Sequence, residues 1–327
     1  MGIILALVVA LLLACGFLME THLLSRTPEA FLHLFGDKGD KPYCSPDVAD
    51  LSIVKYHSDH EYYRKLREMT PLPPPVFLGM HKTLCKNRIN LRRKQRSKCL
   101  PISGSKDPFY CSGADRMDVL KQNSPVICHA SVLHMLLVEV YEELQAYGKS
   151  PVILYGSLLG AVREKGIIPF TEDADIGYSG KLRVSDDLQR LFWQKGYYLF
   201  FENIWRVCVA PTHPLAAKLY DPSMLTVTEF AVPYVDLYYM NHQWYSGYWK
   251  IDEMNWINGS NLVPDDKVAP FSQVTINNQQ FDTVKDTKYF LERMYGEDYM
   301  TPKPRKDAVL QKPEFFEDNS VDNYDST

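Results

Sequence analysis

Leu154-Tyr155-Gly156-Ser157-Leu158-Leu159-Gly160-Ala161-Val162-Arg163-Glu164-Lys165-Gly166-Ile167-Ile168-Pro169-Phe170-Thr171-Glu172-Asp173-Ala174-Asp175-Ile176 is the stretch on which the reading of this 327-residue chain turns. Val152 to Tyr155 read as a short buried strand, and Gly156-Ser157 opens a short helix over Leu158 to Glu164. A helix start presents unpaired backbone N–H groups and a partial positive charge, which suits a phosphate. Asp173 and Asp175 close the stretch two positions apart. On a strand, residues so spaced project to the same side, leaving Ala174 and Ile176 to face the core. Two carboxylates on one side repel each other unless something neutralises them. A hard divalent cation such as Mg²⁺, shared with substrate phosphates, does so. Asp236, in the β-rich apolar run Val232-Pro233-Tyr234-Val235-Asp236-Leu237-Tyr238-Tyr239, fits a third carboxylate on a neighbouring strand.

Gly156 to Arg163, Ile168-Pro169-Phe170 and Asp173-Ala174-Asp175-Ile176 together resemble the LicD/fukutin-related family. A weaker likeness lies in Tyr289-Phe290-Leu291-Glu292 and Tyr295-Gly296-Glu297-Asp298-Tyr299-Met300, followed by Pro302, so the resemblance spans about Val126 to Pro304. The chain departs from the family's usual Pro-Trp followed by three acids, having Pro169-Phe170-Thr171-Glu172-Asp173 instead. The resemblance implies a nucleotidyltransferase-like core that moves phosphocholine or a sugar-alcohol phosphate from a CDP-linked donor onto a glycan. In that setting Asp173, Asp175 and Asp236 are read as ligands of Mg²⁺ or Mn²⁺. Asp236 is left open as either a ligand or the base for the acceptor hydroxyl. Gly156 lets the donor approach the backbone, Ser157 adds a hydroxyl, and Arg163 offers a bidentate grip on phosphate. Two other readings stand beside this one. The first is a non-catalytic glycan-binding or scaffold protein on the same fold. The second is a nucleotidyltransferase that makes the activated donor.

Outward from the motif, Val126 to Tyr147 carries apolar residues at helical spacing, with Gly148 placed to end the helix. Asp186 to Lys195 reads as a helix stopped by Gly196, and Tyr197 to Glu202 and Ile204 to Ala210 as strands meeting at Asn203. Thr226 to Val232 and Tyr234 to Met240 read likewise as strands, and His242 to Asn261 as an aromatic-rich loop. Phe271 to Val284 reads as a hairpin turning at Asn277-Asn278, and Thr287 to Tyr295 as a helix stopped by Gly296. The pattern predicts an α+β fold, a mixed β-sheet flanked by helices.

Upstream, Gly2 to Met19 is uncharged and apolar, read as a signal anchor or a signal peptide over residues 1–20. Residues 21–124 read as a stem and Cys-containing irregular region, with Pro71 to Pro75 as a stiff spacer and a short helix within His57 to Met69. Lys82 to Lys98 is strongly basic, read as a solvated loop or an electropositive surface. The catalytic domain takes residues 125–304, and an acidic disordered tail 305–327. Apart from Cys15, the chain has Cys44, Cys85, Cys99, Cys111, Cys128 and Cys208, an even set that fits disulfides in an oxidising compartment. Asn258-Gly259-Ser260 is a glycosylation sequon if the body is lumenal. The expected location is the Golgi or ER lumen, as a single-pass type II membrane protein held through the N-terminal segment, or else secretion. A net charge of −4 gives no bulk attraction to nucleic acid.

Overall fold

A computed structural model describes residues 43–85, 98–124, 126–182, 187–224, 232–252 and 260–302. The apolar run from Gly2, most of the basic run, all but the last residue of the Thr226 to Val232 strand, Trp256, Asn258 and the tail lie outside them. Among the described residues no helix is long and apolar enough to cross a membrane.

The described residues begin with β1 (Tyr43–Cys44), α1 (Glu61–Glu68) and β2 (Phe77–Leu78), then α2 (Asp118–Lys121) and the long α3 (His129–Ala146). The motif follows as β3 (Val152–Ile153), α4 (Tyr155–Arg163) and β4 (Asp173–Ser179). Next come α5 (Leu188–Gln194), β5 (Tyr197–Glu202), β6 (Ile204–Val209), α6 (Ala216–Leu219), β7 (Tyr234–Gln243), β8 (Tyr248–Ile251) and β9 (Leu262–Pro264). The last elements are α7 (Asp265–Val268), β10 (Ser272–Ile276), β11 (Gln279–Thr283) and α8 (Thr287–Tyr295).

The main sheet is mixed. Its order is β10-β11-β3-β4-β7-β6-β5, with β8 and β9 extending from the far part of β7. β4 and β7 run parallel, as do β11 and β3, and the other neighbours are antiparallel. Local chemistry sets the corners. Asn203, at φ +65°, joins β5 to β6, and Asn277 and Asn278, at φ +46° and +65°, turn β10 into β11, since asparagine tolerates this backbone region better than other residues with a Cβ. Asp286 caps α8 by accepting from the Tyr289 backbone N–H, and Gly296 ends it.

α3 is the central helix. Fifteen of its eighteen residues are buried, which means it is covered on both sides rather than amphipathic. It lies across β4, β6 and β7. Its other side meets the upstream segment, whose Tyr62, Tyr63, Leu66, Phe77, Leu100 and Ile102 enter the same core. The described part of the region read as a stem thus packs onto the body. Disulfides Cys99–Cys208 and Cys111–Cys128 join it across residue 125, while Cys44–Cys85 closes a loop within it. A second difference lies in the segment read as a loop from His242: Tyr248–Ile251 forms a strand paired to β7. Gly247, at φ +70°, makes the turn.

Candidate functional site

The motif strand is shorter than its sequence reading, and the helix starts earlier, at Tyr155, which takes the left-handed region (φ +44°) as the chain leaves β3. This sharp entry carries the first turn of α4 against β4. There Ser157 and Asp175 bond reciprocally: the Ser157 backbone N–H donates to Asp175 Oδ2 (3.1 Å), and the Asp175 N–H donates to Ser157 Oγ (2.7 Å). Gly156 lies beneath the same carboxylate, since a Cβ there would stand 3.1 Å from Asp175 Oδ2. The Gly-Ser pair therefore holds an acid at the helix tip.

The parallel register of β4 and β7 sets Asp175 directly opposite Asp236, with Asp173 opposite Tyr234. Neighbouring strands lie about 4.8 Å apart, so facing side chains on one side interact. Ala174 and Ile176 are fully buried on the other side. Across the next ladder Asp236 faces Arg206. Arg206 Nε donates to Asp236 Oδ1 at 2.6 Å, both side chains being about nine-tenths buried, and its Nη1 donates to the Glu202 carbonyl. The Tyr238 hydroxyl stands 3.2 Å from Asp175 Oδ1 and 3.4 Å from Asp236 Oδ2. Burial first, then Asp173 and Asp236, hold the Asp175 carboxyl well above the usual carboxylate range. Among the described residues no Lys, Arg or His forms an ion pair with Asp175.

These donors fit a hard divalent cation. They are all oxygen, they face one side of a sheet, and a positive ion would relieve the repulsion that pushes Asp175 toward its neutral form. As the side chains stand, no group of three or more His, Cys, Asp or Glu among the described residues is gathered closely enough to enclose an ion. Arg206 draws Asp236 Oδ1 to itself.

Arg163 does not join the carboxylates. It lines an adjoining cleft of about 380 Å³, with Phe170, Thr171, Tyr295 and Tyr299 around it. Its Nε and Nη2 both donate to Glu164 Oε1. The cleft and the carboxylates are electrostatic neighbours: the Tyr295 hydroxyl is pushed up by burial and then by Asp175 and Asp173. Sequence reasoning did not single out Tyr238, Arg206 or Tyr295. For Tyr238 a signal existed, since it lies two positions beyond Asp236 on one strand. Arg206 comes from a separate hairpin, and only the strand register brings it there.

Residues 150–283 match the family described as the LicD/FKTN/FKRP nucleotidyltransferase domain. Over 78 residues the chain is 36% identical to an uncharacterized protein of Rickettsia prowazekii (strain Madrid E), a match covering 23% of this chain. The chain spans less than a third of that relative, 29% of its length.

Proposed function

Since residues 150–283 belong to the LicD/fukutin-related family, we propose that this protein is a transferase moving a phosphorylated alcohol from a CDP-linked donor to a glycan on a protein or lipid. The donor alcohol is of the phosphocholine or sugar-alcohol phosphate type. The observation that carries this reading is the row Asp175–Asp236 across two parallel strands, with Asp173 two residues before and, among the described residues, no cation paired to Asp175. Asp173, Asp175 and Asp236 would hold Mg²⁺ or Mn²⁺, which when bound supplies neutralisation of charge on the donor diphosphate.

The chain's own groups divide the remaining work. Ser157 and Tyr238 fix the Asp175 carboxylate through the backbone N–H of one and the phenol of the other. Arg206 holds one oxygen of Asp236 by donating from its Nε. That leaves Asp236 able either to ligate or to accept the proton of the attacking hydroxyl, which must leave as the new phosphodiester forms. Arg163 borders the aromatic cleft, where exchange of Glu164 for a phosphate oxygen would give it a bidentate hold on the donor. Phe170, Tyr295 and Tyr299 offer faces to a pyrimidine or to the donor alcohol. The three disulfides support a body in the Golgi or ER lumen or outside the cell.

The test is release of CMP from a panel of CDP-alcohols with Mn²⁺ or Mg²⁺, with and without candidate glycans. Metal-dependent release that is lost in Asp175→Asn supports the reading. One observation favours a second reading, a non-catalytic glycan-binding protein: the Arg206 pair already occupies one oxygen of Asp236. Glycan binding without CMP release from any donor would establish that alternative.

A further inference from the structure

A second cleft, of about 770 Å³, lies between α1, α3 and the β10–β11 hairpin, and it shares no lining residue with the carboxylate site. We propose that it binds a saccharide carrying an anionic group, a carboxylate or a phosphate, with Arg116 as the residue that grips the anion.

Arg116 carries the argument. It lines this cleft, yet the residue is only 7% exposed. Its guanidinium carbon lies 5.2 Å from the Tyr62 ring centre and 5.4 Å from that of Tyr63. Among the described residues no carboxylate or carbonyl accepts a hydrogen bond from that guanidinium. The acids around the cleft are committed elsewhere. Asp115 accepts from the Met117 N–H at 2.8 Å, Glu142 contacts His60 at 2.7 Å, and Glu61 pairs with Lys65 at 2.6 Å. A nearly buried cation without an acceptor is unfavourable, and such a group calls for a partner that arrives from outside. Two polar atoms on the lining residues, Tyr62 Oη and His134 Nε2, are buried without a hydrogen-bond partner.

The rim indicates what the partner is. Gln145, Asn278 and Gln280 are exposed around the opening, and Gln279 lies between them and His60. Side-chain amides present a donor and an acceptor together, which matches the adjacent hydroxyls of a sugar. Arg116 at the base presents a planar fork suited to two oxygens of one carboxylate or phosphate. The cleft volume is within the ordinary range of small-molecule sites, roughly 300–1,000 Å³. This inference stands apart from the transfer reading, because a binding site needs no turnover.

The experiment is calorimetric titration of the purified full chain with glucuronic acid and with glucose 6-phosphate, and with uncharged mannose in parallel. The expected result is saturable binding of at least one acidic probe, with mannose at least tenfold weaker. The probe that binds tighter tells a carboxylate ligand from a phosphate ligand. Arg116→Gln, checked for folding by a thermal melt, is expected to weaken the acidic probe at least tenfold. Gln280→Ala, on the exposed rim, is expected to weaken it about threefold. Asp175→Asn is expected to leave the affinity unchanged, so failure of the transfer reading would not be mistaken for failure here. Three results would overturn the proposal: no saturable binding by the native chain, equal binding of mannose, or affinity untouched by Arg116→Gln. If Arg116→Gln does not fold, unchanged affinity in Gln280→Ala overturns it instead.

Discussion

Two buried acidic clusters, one on α3 and one on its sheet, invite comparison. One gathers Glu139 and Glu143 from α3 around Lys195 Nζ, at 2.7 and 2.5 Å, with the Tyr63 hydroxyl donating to Glu139 and His57 set 3.1 Å from Glu143. Burial alone would lower the Lys195 ammonium, but Glu139 and Glu143 outweigh it and hold it protonated. The other sets Asp175 and Asp236 side by side across β4 and β7, with Arg206 serving Asp236. The first cluster takes its counter-charge from Lys195, although burial still pushes the Glu139 carboxyl up, and Tyr63 and His57 tie the upstream segment to it. In the second, Asp175 is buried beside acids and, among the described residues, has no paired cation. Burial is common to both, so the difference lies in where the counter-charge comes from: another part of the chain in one, a ligand in the other.

The most severe way to break this comparison is Asp175→Asn. Transfer is expected to fall roughly a thousandfold, the several kcal/mol that metal-assisted charge stabilisation supplies, while the melting temperature holds or rises because a repelled carboxylate has gone. A lower melting temperature would make the second cluster structural like the first. Lys195→Met is the mirror experiment. It leaves two buried carboxylates facing each other and is expected to destabilise the fold by roughly 3–5 kcal/mol in a denaturant titration, with activity per folded molecule unchanged.

A pH series sharpens the contrast by separating either cluster from a third buried group. Burial pushes His213 down to about 3 from its ordinary 6.5, with its Nδ1 accepting from the Leu215 N–H. The unfolded chain then takes up this proton first. The stabilising contribution is complete above pH 6.5 and is lost as pH falls through the window toward 3, by about 2 kcal/mol at about pH 5. His213→Asn is expected to flatten that part of the stability profile. The smallest effect belongs to Tyr238→Phe, which removes a hydroxyl reaching Asp175 and Asp236. Transfer is expected to drop about tenfold or less, with stability changed by about 1 kcal/mol. A thousandfold loss there would make Tyr238 a participant in the chemistry rather than a positioning residue.

Where structure depends on residues close in sequence, the chain is legible. The turn at Asn277-Asn278 and the helix ending at Gly296 stand as read, because each needs one backbone conformation that its residues favour. The Asp173 and Asp175 spacing likewise settles which side of β4 they share. The entry to α4 was less visible, since nothing marks Tyr155 rather than Gly156 as the residue taking positive φ. In the aromatic segment after His242, Ser246-Gly247 between β-forming residues was a turn signal that a loop reading passed over. The Arg206–Asp236 contact and the docking of residues 43–85 and 98–124 depend on long-range pairing, which the local sequence does not encode.

The disulfide map divides the molecule unevenly. Cys44–Cys85 returns to its own segment, whereas Cys99–Cys208 and Cys111–Cys128 lock later residues into the body. A protease cut in the arginine-rich peptide between Cys85 and Cys99 would leave, through the described cysteines, no sulfur bridge between the two pieces. The buried Tyr62, Tyr63, Leu66 and Phe77, together with hydrogen bonds such as Tyr63–Glu139, His60–Glu142 and His81–Tyr220, would then keep them together, and the nicked protein would behave as a non-covalent heterodimer.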